Sequence, residues 1–228
     1  MKLKLLTLII SAVLILAACS APENNSSAAE NSSTDYTDNS SSKSEVSSEN
    51  SSIESTESHI NTTDTEYVVG DIVLIGGSVV KADNLGESDT PAAVIAGKNA
   101  EGTFFAVGIY RSDNPLQWSD GENSPAFDFV KNYAEDHGLD SGFTNWRMPD
   151  ISELQIIYDN REHINKSLEI IHKSNSAAMN GLSTTWYWSS SRSESQADYA
   201  WFVHFYNGYA GECPQNFTNV NVIAVYKL

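Results

Sequence analysis

The sequence predicts an α+β domain, with about two to three helices set among several short antiparallel strands. Apolar residues recur at helical spacing in only a few stretches, after Pro125, after Asp150 and around Ile164. Elsewhere, short runs rich in Val, Ile, Phe and Tyr stand between Gly and Asn turn signals. The C-terminal stretch reads as a hairpin followed by a last strand.

In chain order, Asp71 to Ile75 and Val79 to Lys81, separated by Gly76-Gly77-Ser78, predict a hairpin. Ala92 to Ala96 and Thr103 to Tyr110 predict two further strands joined through the polar run Gly97 to Gly102. Ser124-Pro125 starts a helix, with Ser124 as N-cap, Phe127, Val130 and Ala134 facing inward, and Gly138 as the stop. Pro149 keeps Met148 extended and fixes where the next helix begins. Asp150 and Glu153 form a capping box there, and Leu154, Ile157 and Tyr158 share one face. Ile164, Leu168 and Ile171 predict a short third helix. Trp186 to Ser190 reads as a strand, Trp201 to Tyr206 alternates, Asn207-Gly208 signals a turn, and Val220 to Tyr226 closes the domain.

The N-terminal part is of another kind. Residues 1–18 carry Lys2 and Lys4 ahead of an apolar core, Leu5 to Leu16, too short to span a bilayer comfortably, as in an export signal. Leu16-Ala17-Ala18-Cys19 resembles a bacterial lipobox, which would make Cys19 the acylated N-terminus and the membrane anchor. Residues 19–65 are dominated by Ser, Asn, Thr and acidic residues and bury too little apolar surface to order themselves. Such a tether reaches on the order of 40 Å. Residues 66–228 then suffice for one domain with its own core. The formal net charge of −17 argues against nucleic acid and against anionic headgroups as partners.

Gly142-Phe143-Thr144-Asn145-Trp146-Arg147-Met148-Pro149, followed by Glu153-Leu154, resembles the G-[YF]-x-[DN]-W-R-[LM]-P…E-L signature of the Lcl C-terminal domain family of bacterial exported proteins. Tyr187-Trp188-Ser189-Ser190 and Ala200-Trp201-Phe202-Val203-His204-Phe205-Tyr206-Asn207-Gly208 match two further motifs of that family, in order. The resemblance implies a C-type-lectin-like (sulfatase-modifying-factor-like) fold. It also makes Trp146, Arg147, Pro149, Asp150, Glu153, Trp188 and Trp201 motif residues, whose expected task is structural.

Indole and phenol faces stack on sugar rings, so the aromatic residues are the first candidates for binding. Trp146, Trp188 and Trp201 are expected in the core, whereas Trp118, Tyr206 and Tyr209 lie near predicted turns and are expected at the surface. The loop Ser119-Asp120-Gly121-Glu122-Asn123 offers oxygen ligands for calcium, although a solvated loop leading into a capped helix explains it better. His163 and His172 do not share a helix face, and the five histidines form no metal template. No cofactor motif, phosphate loop or nucleophile elbow occurs. Formylglycine-generating relatives of the fold use a cysteine pair, whereas Cys213 stands alone in this domain. The lectin tripeptides Glu-Pro-Asn and Gln-Pro-Asp are absent.

The expected function is therefore a non-enzymatic binding module, anchored to the membrane through Cys19 and displayed at the cell surface or envelope. Its ligand would be an extracellular glycan or matrix protein, contacted through Trp118, Asp120, Glu122, Tyr206, Asn207 and Tyr209. The alternatives are a degenerate sulfatase-modifying-factor-like or carboxylate-based enzyme, and a structural subunit of an envelope assembly.

Overall fold

The computed structural model describes residues 67–119, 121–139 and 142–228. The residues expected to form the export signal (1–18), Cys19, the stretch expected to act as a tether (19–65) and Asp120 lie outside the described residues. What remains is α+β, with three α-helices and two antiparallel sheets.

The central layer is a five-stranded sheet in the order β2-β1-β3-β4-β8, from β1 (Ile72–Leu74), β2 (Val79–Val80), β3 (Pro91–Lys98), β4 (Phe104–Arg111) and β8 (Ile223–Lys227). Both of its faces are covered, which is why β3 and β4 read as nearly unbroken apolar runs. Val94, Ala96, Phe105 and Val107 face a core shared with α2 (Ile151–Asp159) and α3 (Arg161–Ser174). Ala93, Ile95 and Ala106 face the other way, toward α1 (Pro125–Asp136) and the signature segment. A one-residue slip in β3 would exchange these two sets, so the register is strongly specified.

The second sheet has the order β5-β6-β7, from β5 (Trp186–Arg192), β6 (Tyr199–His204) and β7 (Tyr209–Pro214). The expected closing strand is shorter than the sequence suggested. Asn221 bridges in parallel to Tyr187, while Val220 and Val222 accept hydrogen bonds from Leu116 and Ser112. The stretch before β8 is thus spent joining the two sheets.

Helix α1 faces inward with Ala126, Val130 and Tyr133, leaving Phe127 and Ala134 half-buried, a rotation from the expected stripe. The cause is tertiary. The Tyr133 hydroxyl accepts a hydrogen bond from the Tyr110 N–H at 2.8 Å, and its ring lies where a Cβ on Gly108 would stand. Burial pushes the Tyr133 phenol far above its ordinary pKa, so it stays neutral. Ser124 holds the N-cap position without a side-chain cap bond. The third helix, expected to be short, runs for 14 residues.

Candidate functional site

The signature segment is a scaffold, tied from several sides. Asp150 accepts from the Glu153 N–H at 2.8 Å and Glu153 accepts from the Asp150 N–H at 3.0 Å, which completes the expected capping box. Glu153 also receives the Arg147 guanidinium in a fork, with both N···O distances at 2.6 Å. Those hydrogen bonds, countered in part by burial, raise the Arg147 pKa above its ordinary value. The Arg147 backbone pairs in both directions with Val225. Ser190 donates its N–H to the Pro149 carbonyl, and the Ser191 hydroxyl accepts from the Ile151 N–H. The first two recognised motifs therefore meet in one hydrogen-bonded knot.

Trp146 and Trp188 are buried, as expected. Trp201 departs from expectation: it is half-buried opposite Glu212 and belongs to neither core cluster. Trp118 departs in the other direction. It is 2 % exposed, its Nε1–H donates to the Ser189 carbonyl at 2.8 Å, and Phe127 and Arg192 pack on its ring. It is part of the core and is withdrawn as a ligand contact. Glu122 is exposed. Among the described residues no group of three or more His, Cys, Asp or Glu side chains is placed to hold a metal. Cys213 is buried.

Tyr206, Asn207 and Tyr209 gather at the turn between β6 and β7. Tyr206 is 74 % exposed and Tyr209 is 36 % exposed. Apart from Val68, they are the large hydrophobic side chains that the described residues present to solvent. They sit at the end of an aromatic ledge. Trp186 stacks on Phe202 with ring centres 4.6 Å apart and planes 8° apart, with His204 at 5.5 Å and Phe217 at 5.7 Å. Tyr206 lies 6.0 Å from His204 and Tyr209 6.1 Å from Phe202. Burial lowers the His204 pKa, which keeps its ring neutral.

Two glycines permit this geometry. A Cβ on Gly211 would stand 2.7 Å from the Tyr209 ring, so its absence lets that ring lie across β7. Gly208, at φ 75°, is required twice, because a Cβ there would also overlap the Tyr158 ring of α2. The turn is longer than the two-residue hairpin that Asn207-Gly208 suggested, since His204 and Tyr209 form the last paired position. Asn207 Oδ1 accepts from the Tyr209 N–H at 3.1 Å and fixes the approach to β7.

A separate cleft of about 850 Å³ opens between α1 and the signature segment. Val130, Phe143, Trp146 and Met148 supply apolar wall, and Asp128 and Glu135 stand on the α1 side. Trp146 Nε1 is buried without a hydrogen-bond partner. At the lip, Asn145 adopts φ 77°, a left-handed conformation that Asn tolerates better than most residues.

The family model described as the Lcl C-terminal domain matches residues 98–226. A comparison with curated proteins gives no match.

Proposed function

The chain belongs to the Lcl C-terminal domain family, and on that premise we propose that it is a surface-displayed recognition module that binds an extracellular, uncharged glycan on its aromatic ledge. The observation that carries this reading is the pair of exposed tyrosines, Tyr206 and Tyr209, continuous with Trp186 and His204 at one turn. Flat aromatic faces beside hydrogen-bonding groups suit sugar rings, whose C–H faces are apolar and whose edges are polar. The net charge of −17 favours neutral over sulfated or polyuronic chains. In this reading Cys19 carries an acyl anchor, residues 19–65 space the domain from the lipid, and the head takes a lectin-like form.

A glycan array probed with the full chain tests the binding. Neutral glycans are expected to be retained, and Tyr206→Ala and Tyr209→Ala should each weaken binding by about 1–1.5 kcal/mol, roughly tenfold. An array without a hit would refute the reading. The anchor is tested separately, by mass spectrometry of the N-terminal peptide and by release of a Cys19→Ser chain from membranes.

A carboxylate-based enzyme is the second reading, and its foothold is the larger cleft, where Asp128 and Glu135 stand on one helix. Seven residues of helix separate their backbones by about 10 Å, against the roughly 5–9.5 Å between the carboxyl groups of glycoside hydrolases. Binding remains the better-supported function.

A further inference from the structure

A second cleft, of about 680 Å³, lies at the end of β4, the C-terminal end of α1 and the loop 177–183. Its walls differ in kind from the ledge. Tyr110, Arg111, Asp113, His137 and His172 bring charged and hydrogen-bonding groups to one concavity.

Arg111 is the unusual member. The sequence holds four arginines, at 111, 147, 161 and 192. Arg147 is forked onto Glu153, Arg161 lies 4.0 Å over the Tyr158 ring, and Arg192 lies 4.9 Å over the Trp118 ring. Among the described residues, no ion pair, side-chain hydrogen bond or aromatic face engages the Arg111 guanidinium. That is unexpected in a chain with 30 acidic and 13 basic residues. Asp113, two positions on and exposed in the same cleft, is likewise in no ion pair among the described residues. Arg111 is the last residue of β4 and Asp113 lies in the bend that follows, so both stand at the same end of that strand. The cleft therefore offers one cation and one anion, two positions apart in the chain and not paired with each other, with the Asp113 charge also acting on His137 in the same wall.

The walls are built in advance. The Met179 N–H donates to the Ile109 carbonyl at 2.8 Å, tying the loop to β4. The Leu182 N–H donates to Asn165 Oδ1 at 2.7 Å, tying it to α3. His172 Nδ1 lies 2.7 Å from the Ala178 carbonyl. A carbonyl only accepts, so Nδ1 carries the proton and Nε2 is left to interact elsewhere. His137 stacks on Tyr110 with ring centres 4.1 Å apart, closing one side.

We propose that this cleft binds a small zwitterion, a free amino acid or short peptide, whose carboxylate meets Arg111 and whose ammonium meets Asp113. A guanidinium accepts a carboxylate through a two-pronged hydrogen bond, and a carboxylate receives an ammonium. A volume of this size accommodates a dipeptide readily. A zwitterion carries no net charge, so the acidic chain does not repel it as it would a polyanion.

The test is titration of the full chain with the dipeptide Ala-Ala, with N-acetyl-Ala-Ala and with Ala-Ala amide, followed by calorimetry. The dipeptide is expected to saturate, and each blocked form should bind at least tenfold more weakly. Arg111→Gln should abolish the advantage of the carboxylate, and Asp113→Asn that of the ammonium. Asp113→Asn should leave binding of the N-acetyl form unchanged. Because no ion pair among the described residues holds Arg111 or the exposed Asp113, neither variant should lose its fold, and the comparison of probes on the unaltered chain needs no variant. No saturation with Ala-Ala, equal affinity for all three probes, or an Arg111→Gln chain that binds as before would overturn the proposal. The ledge is independent of this outcome, since Tyr206→Ala should leave dipeptide binding intact.

Discussion

Glu153 shows how much one side chain can hold. It is 1 % exposed, receives both arms of Arg147 and accepts from the Asp150 N–H. Replacing it with Gln leaves a guanidinium without its counter-charge. Breaking a fully buried pair costs about 3–5 kcal/mol, but water screens part of this one because Arg147 is 40 % exposed, so a loss of about 2 kcal/mol in urea unfolding is expected. Asn145 makes a subtler case. At φ 77°, Asn145→Gly should change stability by no more than a few tenths of a kcal/mol, whereas Asn145→Val should cost about 1–2 kcal/mol by thermal unfolding. The capping box was legible because Asp150 and Glu153 lie three residues apart and their chemistry is local. The burial of Trp118 was not, because the acceptor that satisfies its indole, Ser189, lies 71 residues away.

At the scale of the element, close approach decides what periodicity alone cannot. The inward face of α1 rotated because Tyr133 reaches Tyr110 over Gly108, a contact outside the helix. The turn between β6 and β7 takes four residues, 205–208, and its Gly208 packs against the Tyr158 ring so closely that a Cβ there would overlap it. Gly208→Ala should therefore cost about 2–3 kcal/mol, with part recovered in the double variant with Tyr158→Ala, as a double-mutant cycle would show. The end of α1 adds a pH response. His137 has a folded pKa below its ordinary value of 6.5, chiefly through burial, and its Nε2 is buried without a partner. The unfolded chain therefore binds more protons as pH falls. The stability linked to this group is complete above the ordinary value and declines as pH drops through it toward the folded value. His137→Gln should flatten the slope of stability against pH between about 7 and 5.

For the whole molecule, the α+β class and the order of the elements were readable because each element carries its own period or punctuation. How the two sheets share their cores was not, since that depends on pairings such as Tyr187 with Asn221. The motifs that identify the family turn out to be mostly its internal bracing. They knit Arg147, Glu153, Pro149 and Ser190 together and place Trp146 and Trp188 in the core. In the proposed function, recognition falls to surfaces that this frame holds in place. Tyr206 and Tyr209 were legible as surface aromatics beside a turn, but the ledge that joins them to Trp186 depends on the register of β5 and β6.

The most direct test of the ledge is a calorimetric titration of the full chain, and of its Tyr206→Ala/Tyr209→Ala double variant, with the best neutral glycan from the array. The account predicts saturable binding that the double variant loses by tenfold or more while it still unfolds cooperatively, its melting temperature only modestly lowered by the lost packing of Tyr209 on Phe202. Equal affinity in the two proteins would contradict it.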